Sequence, residues 1–102
     1  MKYIMDAELL LKRRVAMADG LFAELVIWRV PKPLAGSSHS YKYRLALVSR
    51  GACVLRYDNE AGKGDHIHRL AGEYGYHFLD VDTLLDDFKR DVEQWIDEHR
   101  DA

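Results

Sequence analysis

Between Tyr57 and His68 the chain reads YDNEAGKGDHIH, its densest run of reactive side chains. Three acids (Asp58, Glu60, Asp65), the amide of Asn59, a lysine (Lys63) flanked by Gly62 and Gly64, and the imidazoles of His66 and His68 stand within twelve residues. Imidazole suits proton transfer in either direction near neutral pH. A pair of them supports metal-independent cleavage of RNA, one taking the 2′-hydroxyl proton and the other protonating the leaving oxygen. Lys63 and Arg69 can carry charge at the phosphorus. The backbone amides around Gly62 and Gly64 can approach a phosphate closely because no Cβ obstructs them. The catalytic candidates are His66, His68, Asp58 and Lys63, and the phosphate-binding candidates are Gly62, Gly64, Arg44 and Arg69. His39 is a further contributor from a neighbouring loop.

Two other readings compete for the same stretch. In an extended segment His66 and His68 point to one side, so Asp58 could complete a three-ligand metal site with them. His-x-His alone is common, and this divalent-metal reading is the weaker one, with no cofactor needed by the first. A purely structural loop would use Asp58 and Asn59 in a turn, the glycines to relieve strain and the histidines to bind backbone groups. The convergence of glycines, cation, acids and paired imidazoles favours function. GKG lacks the longer glycine spacing and the hydroxyl residue of a triphosphate-binding loop.

The elements that must hold this loop read as strands followed by a helix. Apolar residues at Leu9, Leu11, Val15 and Met17 alternate with Lys12 and Arg14, and Asp19-Gly20 suits a two-residue type I′ turn into a second strand from Leu21 to Val30. An unbroken register would place Leu9, Leu11, Val15, Met17, Phe22, Val26, Trp28 and Val30 on the core face, with Arg13 and Glu24 as diagonal neighbours. Pro31 and Pro33 end that strand, and a Gly-Ser-Ser loop carrying His39 leads to a third from Tyr41 to Arg50. Gly51-Ala52 turns into a fourth, Cys53 to Tyr57, where Cys53 reads as a buried small hydrophobe. A short strand from Tyr74 to Leu79 precedes a helix capped by Asp80 or Asp82. Leu84, Leu85, Phe88, Val92, Trp95 and Ile96 form its apolar stripe, with Trp95 largely buried. Asp86, Asp87, Asp91, Asp97 and Glu98 fall on its far side. The fold class predicted is α+β: an antiparallel meander of four to five strands packed by one long C-terminal helix.

The 102 residues suit one domain, residues 1–102. No apolar stretch approaches the roughly 20 residues needed to cross a bilayer, and the N-terminus lacks a signal-peptide core, so a cytoplasmic protein without membrane contact is expected. One cysteine excludes an internal disulfide. The net charge of −2 hides a division: residues 1–72 hold twelve Lys and Arg against seven acids, and residues 73–102 hold three against ten. A basic first part attracts phosphate, while an acidic tail can shield it or recruit a basic partner.

Five stretches carry a resemblance: ADG at Ala18 to Gly20, VIWRVPKP at Val26 to Pro33, GSSHSYKYRL from Gly36 to Leu45, YDNEAGKGDHIH, and LLDDFKRDV from Leu84 to Val92. In order and spacing they resemble the TumE family of bacterial type II toxin-antitoxin systems, over nearly the whole chain. The resemblance implies a growth-inhibiting toxin whose partner is a helix-turn-helix antitoxin. By analogy with other small toxins it raises RNA as the target, with an endoribonuclease as the first reading. A non-enzymatic growth inhibitor or a regulatory binding partner of the antitoxin is the alternative. A homo-oligomer is compatible with the sequence.

Overall fold

Six strands follow one another across a single antiparallel sheet in the computed structural model, which describes residues 6–60 and 62–100. They are β1 (Glu8–Ala18), β2 (Leu21–Arg29), β3 (Tyr41–Ser49), β4 (Ala52–Asp58), β5 (His66–Arg69) and β6 (Gly72–Gly75), and the helix α1 (Val81–His99) comes last. The α+β class and the meander are as expected, with more strands than the four to five anticipated. HIHR is itself a strand, and the one expected at Tyr74 to Leu79 begins earlier and ends at Gly75. Among the described residues no helix is long and apolar enough to cross a membrane.

Alternation in β3 sorts Tyr43, Leu45 and Leu47 onto the buried face. They meet Ala23 and Ile27 from β2, Leu55 and Tyr57 from β4, and the helix stripe Leu84, Phe88 and Val92. Asp80 caps the helix by accepting the Thr83 N–H at 2.7 Å. The stripe fades toward the C-terminus: Trp95, expected to be largely buried, is half-buried and stacks on His99 at 3.9 Å between ring centroids. Asp87 and Asp91 do not point away from the sheet as the helical period suggested. They accept the hydroxyls of Tyr76 and Tyr57, and Asp91 also takes Arg69 at 2.6 Å. Burial and these bonds push both phenols well above the usual tyrosine range. Part of the acidic tail is thus spent on the sheet rim.

The first hairpin departs from the expected register. Ala18 does pair with Leu21 across Asp19-Gly20, but only Gly20 has positive φ, so the turn is not type I′. Met17 then bulges, and the next pairs are Ala16 with Phe22 and Val15 with Ala23. One extra residue on one strand reverses which β2 residues share a face with Leu11 and Val15. The core face of β2 is therefore Ala23, Leu25 and Ile27, while Phe22, Val26 and Trp28 lie on the other side. Glu24 pairs with Arg14, 3.9 Å away, instead of Arg13. Leu9 and Met17 stay exposed on this edge strand, and Cys53 is exposed as well.

The β2–β3 and β4–β5 loops meet at one end of the sheet. Gly36 (φ +85°) and Gly64 (φ +87°) cross backbone to backbone, and a Cβ on Gly36 would lie 2.5 Å from the Gly64 nitrogen. Neither position admits a side chain without displacement of main chain.

Candidate functional site

The strand registers align chemistry in transverse rows on the sheet face opposite α1. One row runs Lys12, Val26, Arg44, Asp58, His66 and Gly75; the next runs Arg14, Glu24, Ala46, Arg56, His68 and Glu73. Neighbouring strands lie about 4.8 Å apart, so side chains in one row touch or nearly touch. Lys42 and Trp28 face each other beside the first row, and the Arg14 guanidinium lies 3.8 Å over the Phe22 ring. The face is basic, partly aromatic and not covered by the helix.

His66 and His68 share this face, their ring centroids 4.5 Å apart and edge to face. Their environments differ. His66 is buried at 4% exposure, and its Nδ1 lies 2.8 Å from the Gly64 carbonyl. A carbonyl only accepts, so Nδ1 carries a proton and Nε2 is the ring atom left to face the site. That Nε2 lies 2.9 Å from Asp58 Oδ1, an ion-pair distance, yet the two atoms are buried without an aligned hydrogen-bond partner among the described residues. Asp58 is held from behind by Arg56 Nε at 2.6 Å.

His68 is the imidazole that reaches solvent. Its Nδ1 stands 3.1 Å from Glu73 Oε2, and Glu73 Oε1 takes Lys63 Nζ at 2.9 Å. Partial burial and the neighbouring Arg56 favour the neutral ring and push its pKa down, outweighing the opposite pull of Glu73. Lys63 and Glu73 are exposed, so their ion pair adds little to stability and serves to aim Glu73 at His68.

Of the residues singled out from the sequence, Asp58, His66, His68 and Arg44 come together on one face, and Lys63 joins through Glu73. Arg69 does not, because β5 alternation sends it to the helix side with Asp91. Gly64 is pressed against Gly36, which accounts for its glycine, whereas a Cβ on Gly62 would meet nothing within 4 Å. His39 belongs to a separate network: its Nε2 binds Asp65 at 2.6 Å, its Nδ1 accepts the Tyr41 N–H, and its ring stacks on Phe78 at 3.7 Å. Asp65 also accepts Ser37 and Tyr43. Burial raises its carboxyl pKa, but the bonds from Ser37, Tyr43 and His39 outweigh that and hold it below the usual range. Every polar atom of that imidazole is engaged, and the network ties the two loops together.

Sequence reasoning missed Arg56 and Glu73. Both carried a signal: Arg56 stands two residues before Asp58 on a strand, hence on its face, and Glu73 is where a tight turn after HIHR would bring an acid opposite His68. The tyrosines of β3 are not open to bases, since Tyr43 is sealed in the core and Tyr41 packs against it. Trp28 and Phe22 are the aromatic rings of the open face.

No curated protein and no solved structure matches the chain. A family model does, that described as Toxin TumE, over residues 3–96. The match spans the sheet and nearly all of the helix, including every residue of the two rows, and it establishes that the chain belongs to the TumE toxin family.

Proposed function

We propose that this toxin is an endoribonuclease whose RNA lies across the sheet face opposite α1. The observation that carries the reading is the pair of rows: Lys12, Arg14, Arg44 and Arg56 stand on the same face as a half-exposed imidazole, His68, and the buried Asp58 and His66. Cations so arranged neutralise backbone phosphates with release of counterions, and Trp28 and Phe22 offer rings to unpaired bases. Proton removal from a 2′-hydroxyl belongs to the Asp58–His66–His68 cluster. The 2′-oxygen then attacks phosphorus, the P–O5′ bond breaks, and the departing 5′-oxygen takes a proton back from the same cluster, leaving a 2′,3′-cyclic phosphate and a 5′-hydroxyl. Arg44 and Arg56 are placed to stabilise the charge that builds on the phosphoryl oxygens. A helix-turn-helix antitoxin is the partner that relieves the inhibition.

Purified protein incubated with end-labelled single-stranded RNA tests this. Cleavage with the ends named above is the expected result. Growth arrest in cells together with intact RNA in every buffer, metal-free or supplemented, overturns the reading and leaves a toxin that acts by binding alone.

A further inference from the structure

Asp58, His66 and His68 lie together, and each has a neighbour placed to hold its orientation. Arg56 fixes the outer oxygen of Asp58 at 2.6 Å, the Gly64 carbonyl fixes Nδ1 of His66 at 2.8 Å, and Glu73 lies 3.1 Å from Nδ1 of His68. A metal-bound histidine commonly donates its other ring N–H to a carboxylate or carbonyl, which sets its tautomer, and a bound carboxylate is commonly hydrogen-bonded in turn. All three supports are present here.

The inward atoms supply the second observation. Asp58 Oδ1 and His66 Nε2 are buried, their side chains 7% and 5% exposed, 2.9 Å apart and without a hydrogen-bond partner among the described residues. With Nδ1 of His66 turned to the Gly64 carbonyl, its Nε2 is the atom that faces Asp58. Two buried polar atoms so placed are unfavourable until a proton or a cation lies between them. A proton shared by the two atoms would answer that need without a third group. Yet one ring nitrogen of each histidine and a carboxylate oxygen of Asp58 all lie within 4.8 Å of one another. Bonds of about 2.0–2.2 Å to a central tetrahedral cation set ligand atoms about 3.3–3.6 Å apart, so the cluster has to contract by on the order of 1 Å. His68, the half-exposed member, is the side chain with room to rotate inward.

We propose that Asp58, His66 and His68 form a binding site for one divalent transition cation, of the kind that two imidazoles and a carboxylate select, with a further position open to solvent beside His68. Nitrogen ligands favour zinc and its neighbours over magnesium or calcium. Three protein ligands with one open position is the arrangement of a reactive site, and a cation there brings the pKa of its bound water toward neutrality. Binding stands on the geometry alone; its use as the base in RNA cleavage rests on the function proposed above.

The test uses untagged full-length protein stripped with chelator, titrated with Zn²⁺ by calorimetry and with Co²⁺ by visible absorption. One equivalent should bind, with Co²⁺ bands of a four- or five-coordinate site, and Zn²⁺ should raise Tm. His68→Ala and His68→Gln, which alter a half-exposed side chain, should fold and lose at least about tenfold in affinity. His77→Ala, an exposed histidine outside the cluster, should bind as the parent does. Absence of stoichiometric binding to folded parent protein overturns the site, as does equal affinity in both His68 variants. RNA cleavage on the same samples separates the two ideas. Stoichiometric binding without cleavage upholds the site and overturns the ribonuclease, whereas full cleavage by stripped protein that takes up no metal does the reverse.

Discussion

Asn59→Ala should destabilise the protein by about 3 kcal/mol, a large fraction of the roughly 5–15 kcal/mol that holds a chain of this size folded. The paired register of β3 and β4 ends at Arg44 and Asp58, and there β4 turns away. The Asn59 side chain takes over the ladder: its oxygen accepts the Tyr43 N–H at 3.0 Å, and its amide donates to the Tyr41 carbonyl at 2.7 Å and to Ser37 Oγ at 3.2 Å. The residue is 0% exposed, so water cannot replace it. Alanine strands two buried backbone groups, each costing about 1–3 kcal/mol, while Ser37 keeps its bond to Asp65. Urea denaturation reads the effect as a lower midpoint at unchanged slope. A loss below about 1 kcal/mol would mean that the side chain does not substitute for a strand. The same anchor sets the loop whose Gly64 carbonyl fixes the His66 tautomer, so fold and site are coupled at this residue.

His68→Ala should lower RNA cleavage by about 10²–10⁴-fold while leaving the fold intact. The reason for a selective loss is position. His68 ends a supported chain, Lys63 to Glu73 to imidazole, and it is the member of the pair with solvent access. His39 offers a contrast, since its ring nitrogens are consumed by Asp65 and the Tyr41 amide and its face by Phe78. Replacement of His39 should therefore show first as lost stability. Single-turnover cleavage paired with circular dichroism distinguishes the two, and a His68→Ala protein that cleaves at the parent rate would remove the imidazole from the chemistry.

Much of this site was legible where a short-range rule applied. His-x-His in an extended segment predicts two imidazoles on one side, and β5 delivers them so. The helix stripe Leu84, Phe88 and Val92 and the alternation of Tyr43, Leu45 and Leu47 follow from periods of 3.6 and 2. What escaped depended on a single residue out of step or on contacts distant in sequence. The bulge at Met17 exchanged the faces of β2, and with them the surroundings of Phe22 and Trp28, because side-chain direction alternates and one inserted residue reverses it. Gly64 looked like a phosphate-contact glycine, whereas its neighbour is Gly36, 28 residues earlier. Asn59 read as a turn former, since nothing local shows that its amide continues another strand's ladder.

That the RNA lies on the open sheet face is tested most directly by comparing one arginine from each side. Arg44 sits beside Asp58 in the first row and makes no ion pair among the described residues; Arg90 lies on the helix, paired with Asp87. RNA affinity would be measured for the parent, Arg44→Ala and Arg90→Ala across a range of salt. Arg44→Ala should weaken binding similarly for different sequences and flatten the dependence of log K on log salt by about one unit, while Arg90→Ala should match the parent. Loss of binding in Arg90→Ala with parental binding in Arg44→Ala, or binding that ignores salt in all three proteins, would contradict the account.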